Sequence, residues 1–98
     1  MKYAYTAVFT PEESGLFSVN FPDFPGCYTS GDDMADAVYM AQDVLNLTLY
    51  DLEQDNKPLP KASKPHKIIT TGEQFTSVIA VDTETCRRFY QNKSVKKL

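Results

Sequence analysis

The chain has 98 residues, 42% of them hydrophobic and 23% charged, with a formal net charge of −3. That length holds one domain with a single modest core, and the composition is that of a globular protein rather than a disordered one. No apolar run approaches the ~20 residues that cross a bilayer, and the first residues alternate like a strand instead of forming an apolar signal core, so the expected location is the cytoplasm.

Residues 2–10, KYAYTAVFT, place Tyr3, Tyr5, Ala7 and Phe9 on one face at period two and Thr6, Val8 and Thr10 on the other, which predicts a strand. PEESG follows as turn chemistry, with Gly15 free to adopt positive φ. Phe17, Val19 and Phe21 then alternate with Ser18 and Asn20, completing an antiparallel hairpin. A third short strand is expected over 27–29. Pro22 and Pro25 then fall in the connection, where a missing N–H does no harm. Phe21 and Phe24 are the expected core anchors of that corner.

A helix is predicted over 34–54, about 30 Å long at ~1.5 Å per residue. Asp33 is suited to the N-cap, and Asp36 three residues later completes a start resembling a capping box. Together with Asp32, these acids favour the positive end of the helix dipole. Met34, Val38, Ala41, Leu45 and Leu52 recur near helical spacing; Thr48 interrupts the stripe, and Ala37 and Val44 widen it. Pro58 and Pro60 prevent continuation.

KPLPKASKP, residues 57–65, reads as a connector, and HKIITT as a short edge strand. In the next strand Phe75, Ser77, Ile79 and Val81 alternate with Thr76, Val78 and Ala80. The remainder, TETCRRFYQNKSVKKL, suggests a short helix and a basic tail. The expected fold is α+β: an antiparallel sheet of three to four strands in β-β-β-α-β order, with one long helix on one face. Residues 1–90 form the expected domain and residues 91–98 the tail.

Catalytic signatures are weak. His66 is the only histidine and has no fixed acidic or thiol companion, and GxSxG, GxGxxG and Walker A patterns are absent. A hairpin, third strand and helix also begin an RNase H-like fold, but two-metal nucleases of that type need converging acids, one inside the first strand. YAYTAVF contains none, and capping accounts for Asp32, Asp33 and Asp36. The chain therefore reads as a non-enzyme that needs no metal or cofactor; residual cleavage through Asp23 or Asp32 is the weakest alternative. Cys27 and Cys86 form no CxxC unit and read as small buried apolar residues.

Charge is unevenly placed. Residues 1–60 hold two lysines against ten acids, a formal −8, while residues 61–98 hold eight basic residues against three acids, a formal +5. An acidic body attracts basic proteins, and a basic tail attracts polyanions. Asp23 and Asp32, with Phe24 and Asp36 beside them, are the candidate partner-binding residues. Arg87, Arg88, Tyr90, Lys93, Lys96 and Lys97 are the candidate nucleic-acid contacts, with cations beside aromatics as in a stacking platform. Neither an RRM-like aromatic signature nor a KH-like GxxG loop accompanies them, and the arginines serve equally as surface partners for Glu84 or Asp82.

The assembled residues resemble the HicB family of antitoxins. The resemblance rests on Phe21, Pro22, Asp23, Pro25, Gly26 and Cys27, then Thr29, Gly31 and Asp32, then Ala37 and Ala41, with the late strand SVIAVD. It implies a degraded, partial RNase H-like fold without nuclease activity. It also implies a role as protein antidote to a HicA-like toxin, a small basic ribonuclease whose catalytic histidine and RNA surface the antitoxin covers. Family members often continue into a DNA-binding domain. Here NKSVKKL resembles its lead-in, which leaves autorepression open; if that domain is missing, its dimerisation is missing too, and any homodimer comes from sheet or helix contacts of this domain.

Overall fold

Residues 1–85, 87 and 88 are described by a computed structural model. Strands β1 (Lys2–Pro11) and β2 (Phe17–Asn20) form the hairpin, paired from Val8 opposite Asn20 to Pro11 opposite Phe17. Gly15 closes its turn at φ +92°, a conformation that disfavours a side chain. Strand β3 is Tyr28–Gly31, shifted from the expected 27–29. Cys27 is excluded because its backbone is consumed by the preceding turn: its N–H donates to Phe24 O and its carbonyl accepts from Phe21 N.

Helix α1 spans Met34–Gln54, as its caps and breakers predict. The buried stripe is Ala37, Ala41, Leu45 and Leu49, one residue per turn at every fourth position. Met34 is 53% exposed, whereas Leu49, absent from the expected stripe, is fully buried. Thr48 does not break the helix, because its hydroxyl bonds back to Val44 O at 2.8 Å on the flank beside the stripe. Strand β4 (Phe75–Asp82) lies antiparallel to β1, from Lys2 opposite Asp82 to Phe9 opposite Phe75, and the sheet order is β3-β2-β1-β4. Helical backbone resumes at 83–85 and includes 87 and 88.

The helix covers one sheet face, where its stripe meets Tyr5, Ala7, Phe9, Val19, Phe21 and Ile79. Phe9 stacks on Phe75 with ring centroids 5.2 Å apart. Burying side chains such as Phe9, Leu45 and Leu49 contributes about 1.5–3 kcal/mol each. α1 starts so close to β3 that a Cβ on Gly31 would lie 2.2 Å from Ala37 N.

HKIITT is not a strand. Pro65–Lys67 forms a 3-10 turn, closed by Lys67 N–H to Lys64 O and Ile68 N–H to Pro65 O, which leaves four strands in the sheet. Segment 57–74 runs from the end of α1, is tied at Ser63 to Asp23, and packs its 3-10 turn against β4. Leu59 of this strap packs on the core, Pro60 O accepts from the Tyr5 hydroxyl, and Gln74 Nε2 donates to Thr10 Oγ1. On the β1 face turned away from the helix Thr6 and Val8 are 2% and 4% exposed, burial that an alternating strand with one solvated face does not predict.

Candidate partner-binding surface

The corner 21–33 is a set of nested turns. Phe24 N–H donates to Phe21 O and Cys27 N–H to Phe24 O, both at 3.0 Å, while Phe21 N–H closes the loop on Cys27 O at 3.1 Å. Gly26 takes φ +83° between Pro25 and Cys27. Phe21, Phe24 and Cys27 point inward and are all buried. Phe24 meets the Tyr5 ring edge-on with centroids 4.6 Å apart, and the Tyr5 hydroxyl donates to Pro60 O. The corner is thereby fastened both to the core and to the strap.

The acids of the corner differ in their freedom. Asp23 is half-buried and accepts from the Ser63 backbone and hydroxyl, one hydrogen bond on each carboxylate oxygen. Asp33 caps α1, accepting from Asp36 N at 2.8 Å, and Asp36 Oδ2 accepts in return from Asp32 N at 2.9 Å. Asp36 is half-buried, while Asp32 is exposed, with no side-chain hydrogen bond or ion pair among the described residues. Phe24 lies in the core at 5% exposure and presents little surface to a partner.

A shallow cleft of about 320 Å³ lies beside Asp23, walled by Phe24, Cys27, Val44, Leu52 and Pro60. The Cys27 thiol faces Thr48 Oγ1 at 3.6 Å; burial pushes its pKa up, partly opposed by that contact, which leaves it a poor nucleophile at neutral pH. Among the described residues no three His, Cys, Asp or Glu side chains gather as a metal site.

At the opposite end of the helix the Tyr3 hydroxyl donates to Glu53 Oε2. That bond, with burial and the carboxylate charge, raises the Tyr3 pKa to about 12, and it holds Glu53 below the ordinary carboxylate range. Arg87 lies 4.0 Å from Glu53 and 3.6 Å from Glu84, so one of the two arginines is paired on the protein's own surface, with Glu84 as one of its partners. Arg88 is exposed. Cys86, Phe89, Tyr90, Lys93, Lys96 and Lys97 lie outside the described residues, as does the expected boundary between domain and tail.

Sequence reasoning missed Ser63 and Glu53, which hold the strap and the helix end. Each meets its partner 40 or 50 residues away, and no local pattern marks such a pair. No described helix is long and apolar enough to cross a membrane.

Residues 5–95 match the family model described as HicB_like antitoxin of bacterial toxin-antitoxin system. A relative named Antitoxin HicB 2, from Photorhabdus laumondii, is 38% identical over 77 residues, covering 78% of this chain and 50% of its own length. UPF0150 protein Ta0767 from Thermoplasma acidophilum is 30% identical over 57 residues, 58% of this chain and 83% of that protein. An uncharacterized 14.9 kDa protein of Haemophilus phage HP1 is 26% identical over 65 residues, 66% of this chain and 49% of its own. The chain thus spans about half the length of the Photorhabdus and phage relatives.

Among solved structures, a chain of a toxin–antitoxin complex from Streptococcus pneumoniae superposes with a TM-score of 0.79 at 24% identity, over 87% of this chain and 72% of that one. A chain of the HicA3 and HicB3 toxin–antitoxin complex gives 0.66 at 23% identity, over 82% of this chain and 99% of that one. The N-terminal domain of the Burkholderia pseudomallei antitoxin HicB gives 0.72 at 14% identity, over 82% and 99%. At these identities the structural likeness shows the shared α+β fold.

Proposed function

The chain belongs to the HicB-like antitoxin family of bacterial toxin–antitoxin systems, and from that premise we propose that it binds and neutralises a HicA-type ribonuclease toxin. The family match along residues 5–95 is the observation that carries this reading. The acidic body gives it a physical basis: a formal −8 over the first sixty residues steers a basic partner to the surface and favours its docked orientation. The proposed role is that of a binder, with no catalytic step of its own.

Asp23, Asp32 and Asp36 are the proposed toxin-facing acids, with unequal roles, and Phe24 lies buried behind them. Asp32 offers a free carboxylate to a lysine or arginine, and Asp36 adds charge from the first turn of α1. Asp23 contributes field while its oxygens hold Ser63, and Phe24 supports the cleft from beneath.

The test is co-expression with the toxin encoded beside this gene. A stable complex and restored growth are expected; free toxin and continued growth arrest would defeat the reading. A second reading, nucleic-acid binding, draws on the eight basic residues of 61–98, Arg87, Arg88, Lys93, Lys96 and Lys97 among them, with Tyr90 as a stacking aromatic. It predicts a gel shift that weakens steeply with salt in the absence of toxin.

A further inference from the structure

We propose that the outer side of the strap, with Lys57, Lys61, Lys64 and Lys67, is a sequence-independent contact for the sugar-phosphate backbone of single-stranded RNA.

The strap reverses the charge of the body that carries it. Between Asp55 and Glu73 the chain holds four lysines and no acid, whereas residues 1–60 sum to a formal −8. All four lysines are exposed, and none of their side chains forms a hydrogen bond or ion pair among the described residues. Like charges this close repel one another until a polyanion neutralises them.

The backbone sets them in a row. Pro58, Pro60 and Pro65 fix their own φ and hold the residues before them extended. Lys64 stands at φ −69° and ψ +133°, close to polyproline II. That conformation has three residues per turn, as does the 3-10 turn Pro65–Lys67, so positions three apart share a side. Lys61, Lys64 and Lys67 are such a set. Pro60 and Ser63 are another, and they fasten the strap to Tyr5 and Asp23. The row is about 15 Å long, three residues at ~3.1 Å and three at ~2.0 Å, and it is ordered before any ligand arrives.

The side chains select the ligand. Lysine meets phosphate as a point charge, whereas carboxylates are matched by the arginine fork, and the strap has no arginine. To a lipid surface it offers Ile69 as its one exposed large apolar side chain. A duplex is broader than the row and sets further phosphates against the acidic body, while a single strand follows the row alone. No aromatic residue lies in 57–72 to stack on bases, so the contact is electrostatic and blind to sequence. RNA is the single strand that a ribonuclease partner brings, and that choice rests on the toxin reading. The contact lies apart from Arg87, Arg88 and the tail.

The experiment is fluorescence-anisotropy titration of the full chain, without toxin, with an unstructured RNA over a salt series. Lys61→Gln, Lys64→Gln and Lys67→Gln together are expected to reduce the slope of log affinity against log salt by about 2, three contacts at ~0.7 each. Binding at low salt weakens at least about tenfold, with circular dichroism unchanged. Lys93→Gln, Lys96→Gln and Lys97→Gln together leave that share of the slope in place. Binding that ignores the strap glutamines and is lost with the tail lysines would overturn the proposal and leave the tail as the nucleic-acid contact. Absence of RNA binding at low salt would overturn it too. So would tighter binding of DNA, single-stranded or duplex, or capture by phosphatidylserine vesicles in preference to RNA. Co-expression separates the two readings: the strap variant is expected to restore growth as wild type does. Failure of the wild type to restore growth defeats the toxin reading and with it the choice of RNA, while the titration alone decides whether the strap holds a phosphate backbone.

Discussion

Asp23 accepts both hydrogen bonds that Ser63 offers, the backbone N–H at 2.8 Å and the hydroxyl at 2.5 Å, across 40 residues of sequence. This contact pins a proline-rich strap that otherwise has few regular backbone bonds. Ser63 itself is exposed, so the pair contributes only about 1 kcal/mol. Ser63→Ala is expected to lower stability by less than that and to speed proteolysis within 57–74, while leaving the charge of Asp23 in place. Asp23→Asn loosens the strap similarly and also removes the charge. Urea midpoints and limited proteolysis read the first effect. Toxin affinity, reduced by Asp23→Asn and spared by Ser63→Ala, reads the second.

Gly31 marks the closest approach of sheet and helix. An added Cβ would lie 2.2 Å from Ala37 N, 2.4 Å from Ala37 Cα and 2.7 Å from Asp36 C, all backbone atoms that move only if α1 moves. Gly31→Ala is therefore expected to cost about 3 kcal/mol, read as a lowered urea midpoint. Gly26→Ala has open space around its Cβ but a φ of +83°, so its smaller cost, about 1 kcal/mol, is backbone strain alone.

The parts of this fold that are legible in the sequence are those whose causes are local. Asp33 and Asp36 announce the start of α1 because a cap and its N–H partner are three residues apart, and Pro58 and Pro60 bar any helix beyond. Alternation locates β1, β2 and β4. Leu49 escapes notice because Thr48 looks like an interruption, although its hydroxyl is satisfied within the helix. The strand expected in HKIITT fails because Pro65 initiates a 3-10 turn, and nothing local in β1 indicates that Thr6 and Val8 are buried. At the candidate site the corner is readable from its prolines and glycine, yet the state of each acid is not. Asp23 looks like Asp32 on paper and differs only through Ser63.

Tyr3 and Glu53 make stability depend on pH at both extremes. Tyr3 titrates near 10 when unfolded and at about 12 when folded, so the folded chain holds the phenol proton that the unfolded chain loses. The associated stability is complete below pH 10 and disappears as pH rises toward 12. Glu53 is depressed below its unfolded value of 4.5, so its contribution is present above that pH and is lost as pH falls through the folded value. Tyr3→Phe should flatten both limbs by removing the shared hydrogen bond. Urea midpoints from pH 3 to 12, compared between wild type and variant, measure this; unchanged slopes would exclude the pair as their source.

Asp32 separates a charge effect from a structural one. Its carboxylate is exposed and unpaired among the described residues, whereas its backbone N–H serves Asp36 and survives any substitution that keeps the backbone in place. Asp32→Lys is therefore expected to leave thermal unfolding within about 0.5 kcal/mol of wild type. Against a basic toxin the same change reverses an attraction, and rim charges act mainly on encounter. Association should slow about tenfold at low ionic strength, with little change in dissociation, and the difference should shrink as salt shortens the screening length to a few ångströms. Stopped-flow association across a salt series measures this. A loss that appears in dissociation and persists at high salt would instead make Asp32 a buried contact of the complex. No loss at any salt would remove it from the toxin-facing set, leaving helix capping as the work of this acid cluster.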